Sequence, residues 1–280
     1  MTSMRESIAL RGLDGSYWPL GGPGRTDRDA WIVHGLTGVF SAPPETSVRT
    51  SRAYQIGSTP RMTKIEERLV DFKVRLEGRT RRDLEELRVA WESSWSTKAD
   101  NEFVTRSEVY GERTLRLRLD RPIELDVDSF NMQSTRMELE MVTVACWPYL
   151  GSTVDTISKS FGGGTTNLLY EIDNPTDVPL WLEWEGSPIM SAQLPDALTG
   201  RMVPIPAQAS VWKVRTRKTF ETLSSAATPP VNEWKKMRGV SFLAEIPPRT
   251  PPTTVPVVVT ASAPGTLRCV MRRNHKMPWG

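Results

Sequence analysis

From Val70 to Glu77 the chain alternates strictly, with Val70, Phe72, Val74 and Leu76 on one side and Asp71, Lys73, Arg75 and Glu77 on the other. A period of two is the spacing of a strand, whose successive side chains point to opposite faces; a helix would need an apolar residue every three or four positions. The same alternation returns in Leu115, Leu117 and Leu119 against Arg116 and Arg118, and in Met137, Leu139 and Met141 against Glu138 and Glu140. One dry and one wet face on each strand predicts antiparallel sheet around a shared core. Each of these apolar side chains, if fully buried, contributes roughly 1.5–3 kcal/mol before the entropy of ordering the chain is set against it.

One segment keeps a different period. Leu84, Leu87, Trp91 and Trp95 recur at spacings of three and four, and Thr80 with Asp83 three residues on is a capping-box pattern. A single helix is predicted over residues 80–96, packed on the sheet, with Arg81, Arg82, Glu85, Glu86, Arg88 and Glu92 mostly on its wet side. The rhythm stops at Gly151-Ser152-Thr153 and resumes after Phe161-Gly162-Gly163-Gly164-Thr165-Thr166, and most of the 22 prolines lie beyond that point. The expected division is a domain over residues 1–152, a linker at 153–166 and a second domain over 167–280, a length sufficient for two separate cores. Strands are expected in the second half at 167–172, 180–185, 211–216, 240–246, 255–261 and 267–272, short and turn-separated as in a β-sandwich.

The 36 basic and 33 acidic side chains leave a net charge of only +3, which by itself calls for neither a nucleic acid nor a membrane. Cys146 and Cys269 lie in apolar alternating runs far apart, without metal-ligand or redox spacing, and are expected as buried free thiols. No apolar stretch follows the charge near Met1, and none approaches the length of a membrane span, so synthesis in the cytoplasm and a soluble chain are expected.

Catalytic constellations are hard to assemble from these residues. The two histidines, His34 in an apolar strand and His275 in a basic run, have no nucleophile elbow or local Cys/His signature near them. Gly162-Gly163-Gly164-Thr165 lacks the Lys of a phosphate-binding loop and reads as a linker, and Gly21-Gly22-Pro23-Gly24 as a loop. The carboxylate series Glu124, Asp126, Asp128 and the pair Glu183, Glu185 beside Trp181 are the enzymatic temptation, since glycosidases use two carboxylates and residues two apart on a strand lie about 7 Å apart. A solvated strand face gives the same pattern. Of the ten tryptophans, Trp184 shares a face with Leu182 and is expected in the core, whereas Trp181, Glu183 and Glu185 are candidate sugar contacts. Arg268, Arg272, Arg273 and Lys276 offer positive charge to an acidic partner. No catalytic residue, metal ligand or cofactor site is expected.

Several segments in order carry a resemblance: Leu13-Asp14-Gly15-Ser16-Tyr17-Trp18, the strand–helix–strand succession from Arg68 to Val109, Asn174-Pro175-Thr176 before Trp181, then Trp184-Glu185-Gly186, Leu198-Thr199-Gly200, Trp234 to Gly239, Glu245-Ile246-Pro247-Pro248 and Met277-Pro278-Trp279-Gly280. In this order the chain resembles the distal tail proteins of siphophages over most of its length. The resemblance implies a mainly β fold: an N-terminal β-barrel or split-barrel domain with one helix, followed by a galectin-like β-sandwich. It implies a structural role without catalysis, in a homohexameric ring that joins the tail-tube protein to tail-tip proteins, encloses a DNA channel without reading sequence, and resides in the virion tail rather than a membrane. Candidate partner contacts are then Tyr17, Trp18, Arg116, Arg118 and Trp279. The Arg-rich usage suits a phage of a high-GC actinobacterial host, and the second half leaves no space for an added carbohydrate-binding module. The alternative is a receptor- or carbohydrate-binding minor tail protein, with a cell-wall glycosidase as a third reading.

Overall fold

A computed structural model describes residues 6–23, 29–124, 134–219, 221–225 and 230–279. The chain divides into two compact units, residues 1–152 together with 275–280, and residues 153–274.

In the first unit an antiparallel sheet runs in the order β2 (Tyr17–Gly21), β1 (Ser7–Arg11), β7 (Asn101–Ser107), β8 (Gly111–Leu119), β9 (Arg136–Ala145), β6 (Arg68–Glu77) and β3 (Asp29–His34). Alternation sets its register. Phe72 faces Met141 and Val74 faces Leu139 on the dry side of β6 and β9, while Lys73 faces Glu140 and Arg75 faces Glu138 on the other. Because β8 pairs with β7 along its length but with β9 only at Arg118 and Leu119, the sheet turns there and closes round one core of Leu10, Leu20, Val70, Phe72, Phe103 and Leu115.

The single helix, α1 (Arg81–Ser93), starts where the sequence places it: the Thr80 hydroxyl accepts from the Asp83 amide and the Asp83 carboxylate accepts from the Thr80 amide. Leu84 and Trp91 face the sheet, and the Trp91 indole N–H donates to Met141 Sδ at 3.4 Å with Trp18 edge-on at 5.3 Å. Arg81, Glu85, Arg88 and Glu92 form a continuous ion-pair ladder along the outer side. The helix ends three residues earlier than expected, because the Ser94 hydroxyl turns back onto the Trp91 carbonyl at 2.7 Å. A hairpin of β4 (Glu45–Thr50) and β5 (Thr59–Ile65) forms a separate two-stranded sheet, exposed along β4 and β5 except at Ile65, with Tyr54 and Ile56 in the connecting loop fully in solvent.

The second unit is a sandwich. One sheet has the order β16 (Leu223–Ser225), β15 (Trp212–Arg215), β12 (Leu182–Gly186), β18 (Gly265–His275), β10 (Leu150–Phe161); the other, four-stranded, has the order β11 (Gly164–Asn174), β17 (Thr250–Ala261), β13 (Ser191–Pro195), β14 (Met202–Ile205). Tyr170 of β11 ties the layers, its ring edge-on to Trp184 at 5.0 Å and its hydroxyl donating to the Leu267 carbonyl at 2.7 Å.

Three expectations are corrected here. Residues 153–166 are no linker: they are strand β10, the Gly162-Gly163 turn and the start of β11, and the turn carries the chain from one sheet to the other. Residues 240–246 are mostly apolar but form no strand beyond a bridge from Ile246 to Leu180, because the buried Asp196 carboxylate takes the Leu243 and Ala244 amides at 3.0 Å, removing donors that a ladder would need. Cys146 is exposed, one residue past the end of β9, whereas Cys269 is buried as expected.

Candidate functional site

The residues nominated as partner contacts fall into two groups once register is known. Tyr17 lies opposite Arg11, Arg11 opposite Glu102, and Glu102 opposite Arg116, so one row crosses β2, β1, β7 and β8 on the face turned away from the core. Arg11 bridges Glu102 at 3.0 Å and Glu112 at 2.8 Å, and Arg106 reaches Glu112 at 2.8 Å and the Tyr17 hydroxyl at 3.3 Å. Arg118 extends the same face and holds Asp100 at 2.7 Å. Burial raises the pKa of Glu112, but its hydrogen bonds to Arg106 and Arg11 outweigh that and hold it below the usual carboxylate range. The outcome is a half-exposed lattice of charge with one aromatic ring at its edge.

Trp18 does not belong to it. One residue along a strand is the opposite face, and Trp18 is buried against Trp91, with its indole N–H donating to the Ser16 hydroxyl at 2.8 Å. The expectation of a Trp18 contact is therefore corrected: it is a core residue. Trp279 is elsewhere on the first unit, stacked on Phe40 with centroids 5.3 Å apart. Sequence reasoning missed Arg11, Glu102, Arg106 and Glu112, although Arg11 and Glu102 each alternate with core residues in a short strand.

In the second unit Glu183 and Glu185 share a strand face with cations on both neighbours. Lys213 of β15 lies 3.0 Å from Glu183 and 2.8 Å from Glu185, Arg272 of β18 lies 3.3 Å from Glu183, and Arg268 lies 3.6 Å from Glu185. Every carboxylate oxygen of the pair thus has a cation. Burial pushes the Glu183 pKa up, yet the bonds from Lys213 and Arg272 win and leave it lowered. A glycosidase acid must instead hold its proton near the working pH, which calls for a raised pKa. Trp181 is half-buried beside this ladder. Glu124 is exposed, while Asp126 and Asp128 lie outside the described residues. His34 is exposed on β3, and His275 Nε2 lies 3.0 Å from the Ser152 hydroxyl. Among the described residues no group of His, Cys, Asp and Glu has the geometry of a metal site.

The fold of the chain, a bent sheet with one helix and then a two-layer sandwich along the sequence, is similar to that of solved chains from phage hub and baseplate structures. The chain is similar to the Dit protein of phage SPP1, described as a paradigm of the hub of the adsorption apparatus in phages infecting Gram-positive bacteria. That likeness has a TM-score of 0.54 and 10% identity, and covers 96% of this chain and 98% of that one. It is likewise similar to a chain of the phage P2 baseplate in its activated conformation with Ca, at a TM-score of 0.52 and 10% identity over 99% of this chain and 100% of that one. No protein-family model and no curated protein sequence matches the chain.

Proposed function

We propose that the protein is a structural hub of a phage tail, a homohexameric ring that joins the tail tube to the tail-tip proteins around a channel for DNA, with no catalytic role of its own. One observation carries this reading: the likeness to a tail hub runs through both units and covers nearly all of each chain, rather than one sandwich alone. The charge lattice of Tyr17, Arg11, Glu102, Arg116 and Arg118 supports it as a subunit contact. A ring needs two different complementary patches per subunit, closed by rotation, and a rigid polar face sets register and rejects wrong partners more than it adds affinity. The saturated carboxylates of Glu183 and Glu185 weigh against both sugar binding and glycoside cleavage at Trp181.

The test is the mass of the purified chain by light scattering over a concentration series, with negative-stain images of the peak. Six chains of 31.5 kDa give a particle of about 189 kDa with sixfold symmetry. A monomer at every concentration overturns the self-assembling ring.

A further inference from the structure

After Asn274 the chain leaves the second unit, and the residues that follow pack in the first. What holds them is unusual. The Lys276 carbonyl accepts from Arg68 Nη2 at 2.6 Å and the Met277 carbonyl from Arg113 Nη1 at 2.6 Å. Arg68 is 1% exposed and Arg113 is 5% exposed. The remaining bonds of Arg68 go to the carbonyls of Gly38 and Val39, both at 3.1 Å, and its Nε has no partner among the described residues. A guanidinium taken out of water is normally matched by a carboxylate; this one is met by main-chain carbonyls, and burial lowers its pKa to about 10. Side chains of the segment add contacts of their own, among them His275 to the Ser152 hydroxyl at 3.0 Å, Lys276 to Glu45 at 3.2 Å and Trp279 on Phe40.

We propose that Arg68, Arg113, Phe40 and Glu45 form a peptide-binding cleft on the first unit, and that residues 275–279 occupy it as a displaceable strap. The two guanidinium groups read the consecutive carbonyls of Lys276 and Met277, where the main chain bends after the end of β18. Glu45 and Phe40 supply the selection, for a cation followed three residues later by an aromatic ring. Pro278 fixes one backbone angle of the strap and so reduces the entropy lost on binding. Met277, between the two side-chain anchors Lys276 and Trp279, is 37% exposed and is where a competing peptide would begin to displace the strap. The ligand class is a short peptide of the pattern Lys-Met-Pro-Trp in a bent conformation, and this inference stands whether or not the chain forms a ring.

The experiment uses the full-length chain and a fluorescent peptide, His-Lys-Met-Pro-Trp-Gly, read by anisotropy. A variant carrying Lys276→Ser and Trp279→Ser keeps the cleft but loses the side-chain hold of its own strap. It is expected to bind the peptide at least roughly tenfold more tightly than wild type does, and adding Phe40→Ala or Arg68→Met to it is expected to cost roughly tenfold or more. Equal binding by wild type and variant, or no binding by the variant, overturns the proposal. Hydrogen exchange in the full chain covers the case in which Arg68→Met fails to fold: Phe40→Ala should speed exchange at residues 275–279 roughly tenfold while β11 and β17 stay protected. Unchanged exchange at the strap overturns the proposal as well.

Discussion

Gly38 answers to two constraints at once. Its φ is +80°, a region that side chains disfavour, and a Cβ added there would lie 1.9 Å from the Leu69 carbonyl oxygen. Gly38→Ala is expected to destabilise the first unit by about 1–3 kcal/mol, measured as a shift of the urea midpoint. Trp91 is the opposite case, a large side chain with a full set of neighbours: it is wholly buried and touches Trp18, Trp95 and Met141. Trp91→Ala should cost about 3–5 kcal/mol by the same measurement. Glu183 couples the second unit to pH. Its folded pKa is depressed, so its contribution to stability is full above the unfolded value of about 4.3 and is lost as pH falls through the lower folded value. Glu183→Gln should therefore flatten the acid limb of a stability–pH curve below about pH 4.5 and make the protein less stable at neutral pH.

At the scale of elements, the Thr80 cap is the cleanest test. Both reciprocal bonds are present, and Thr80→Ala should cost about 1 kcal/mol, read as a small fall in Tm with no change in the sheet signal. This helix was legible in the sequence because a cap and a 3.6 period are local. Strands β6, β8 and β9 were legible for the same reason, each carrying its own alternation. The β4–β5 hairpin was not. Nothing in Glu45–Thr50 is buried, so no face is selected and no periodicity is written into it. Val240 to Ile246 failed in the other direction: an apolar run satisfied the strand pattern, while a distant carboxylate at Asp196 settled where its amides would go. The candidate site was half legible. Tyr17, Arg116 and Arg118 could be named from strand position, but their union with Arg11 and Glu102 depends on which strands pair and in what register, a long-range fact.

For the whole molecule, the charge lattice offers a way to separate folding from assembly. Arg116 is exposed and Arg118 pairs with Asp100, so Arg116→Gln with Arg118→Gln, which loses one half-exposed ion pair and sets no like charge against Glu102 or Asp100, should lower the stability of the monomer by no more than about 1 kcal/mol, read from the urea midpoint. If this face is a subunit contact, the same pair of changes should move the light-scattering peak from the ring to the monomer. Retention of the ring would place the contact elsewhere. Ser152 and His275 are joined by a hydrogen bond 3.0 Å long at the two points where the chain departs from the first unit and comes back to it. With its entry and exit side by side, the sandwich is topologically a cassette spliced into an otherwise continuous domain. Such a cassette can be exchanged or enlarged at a single locus, because the splice touches the host chain at only these two neighbouring points.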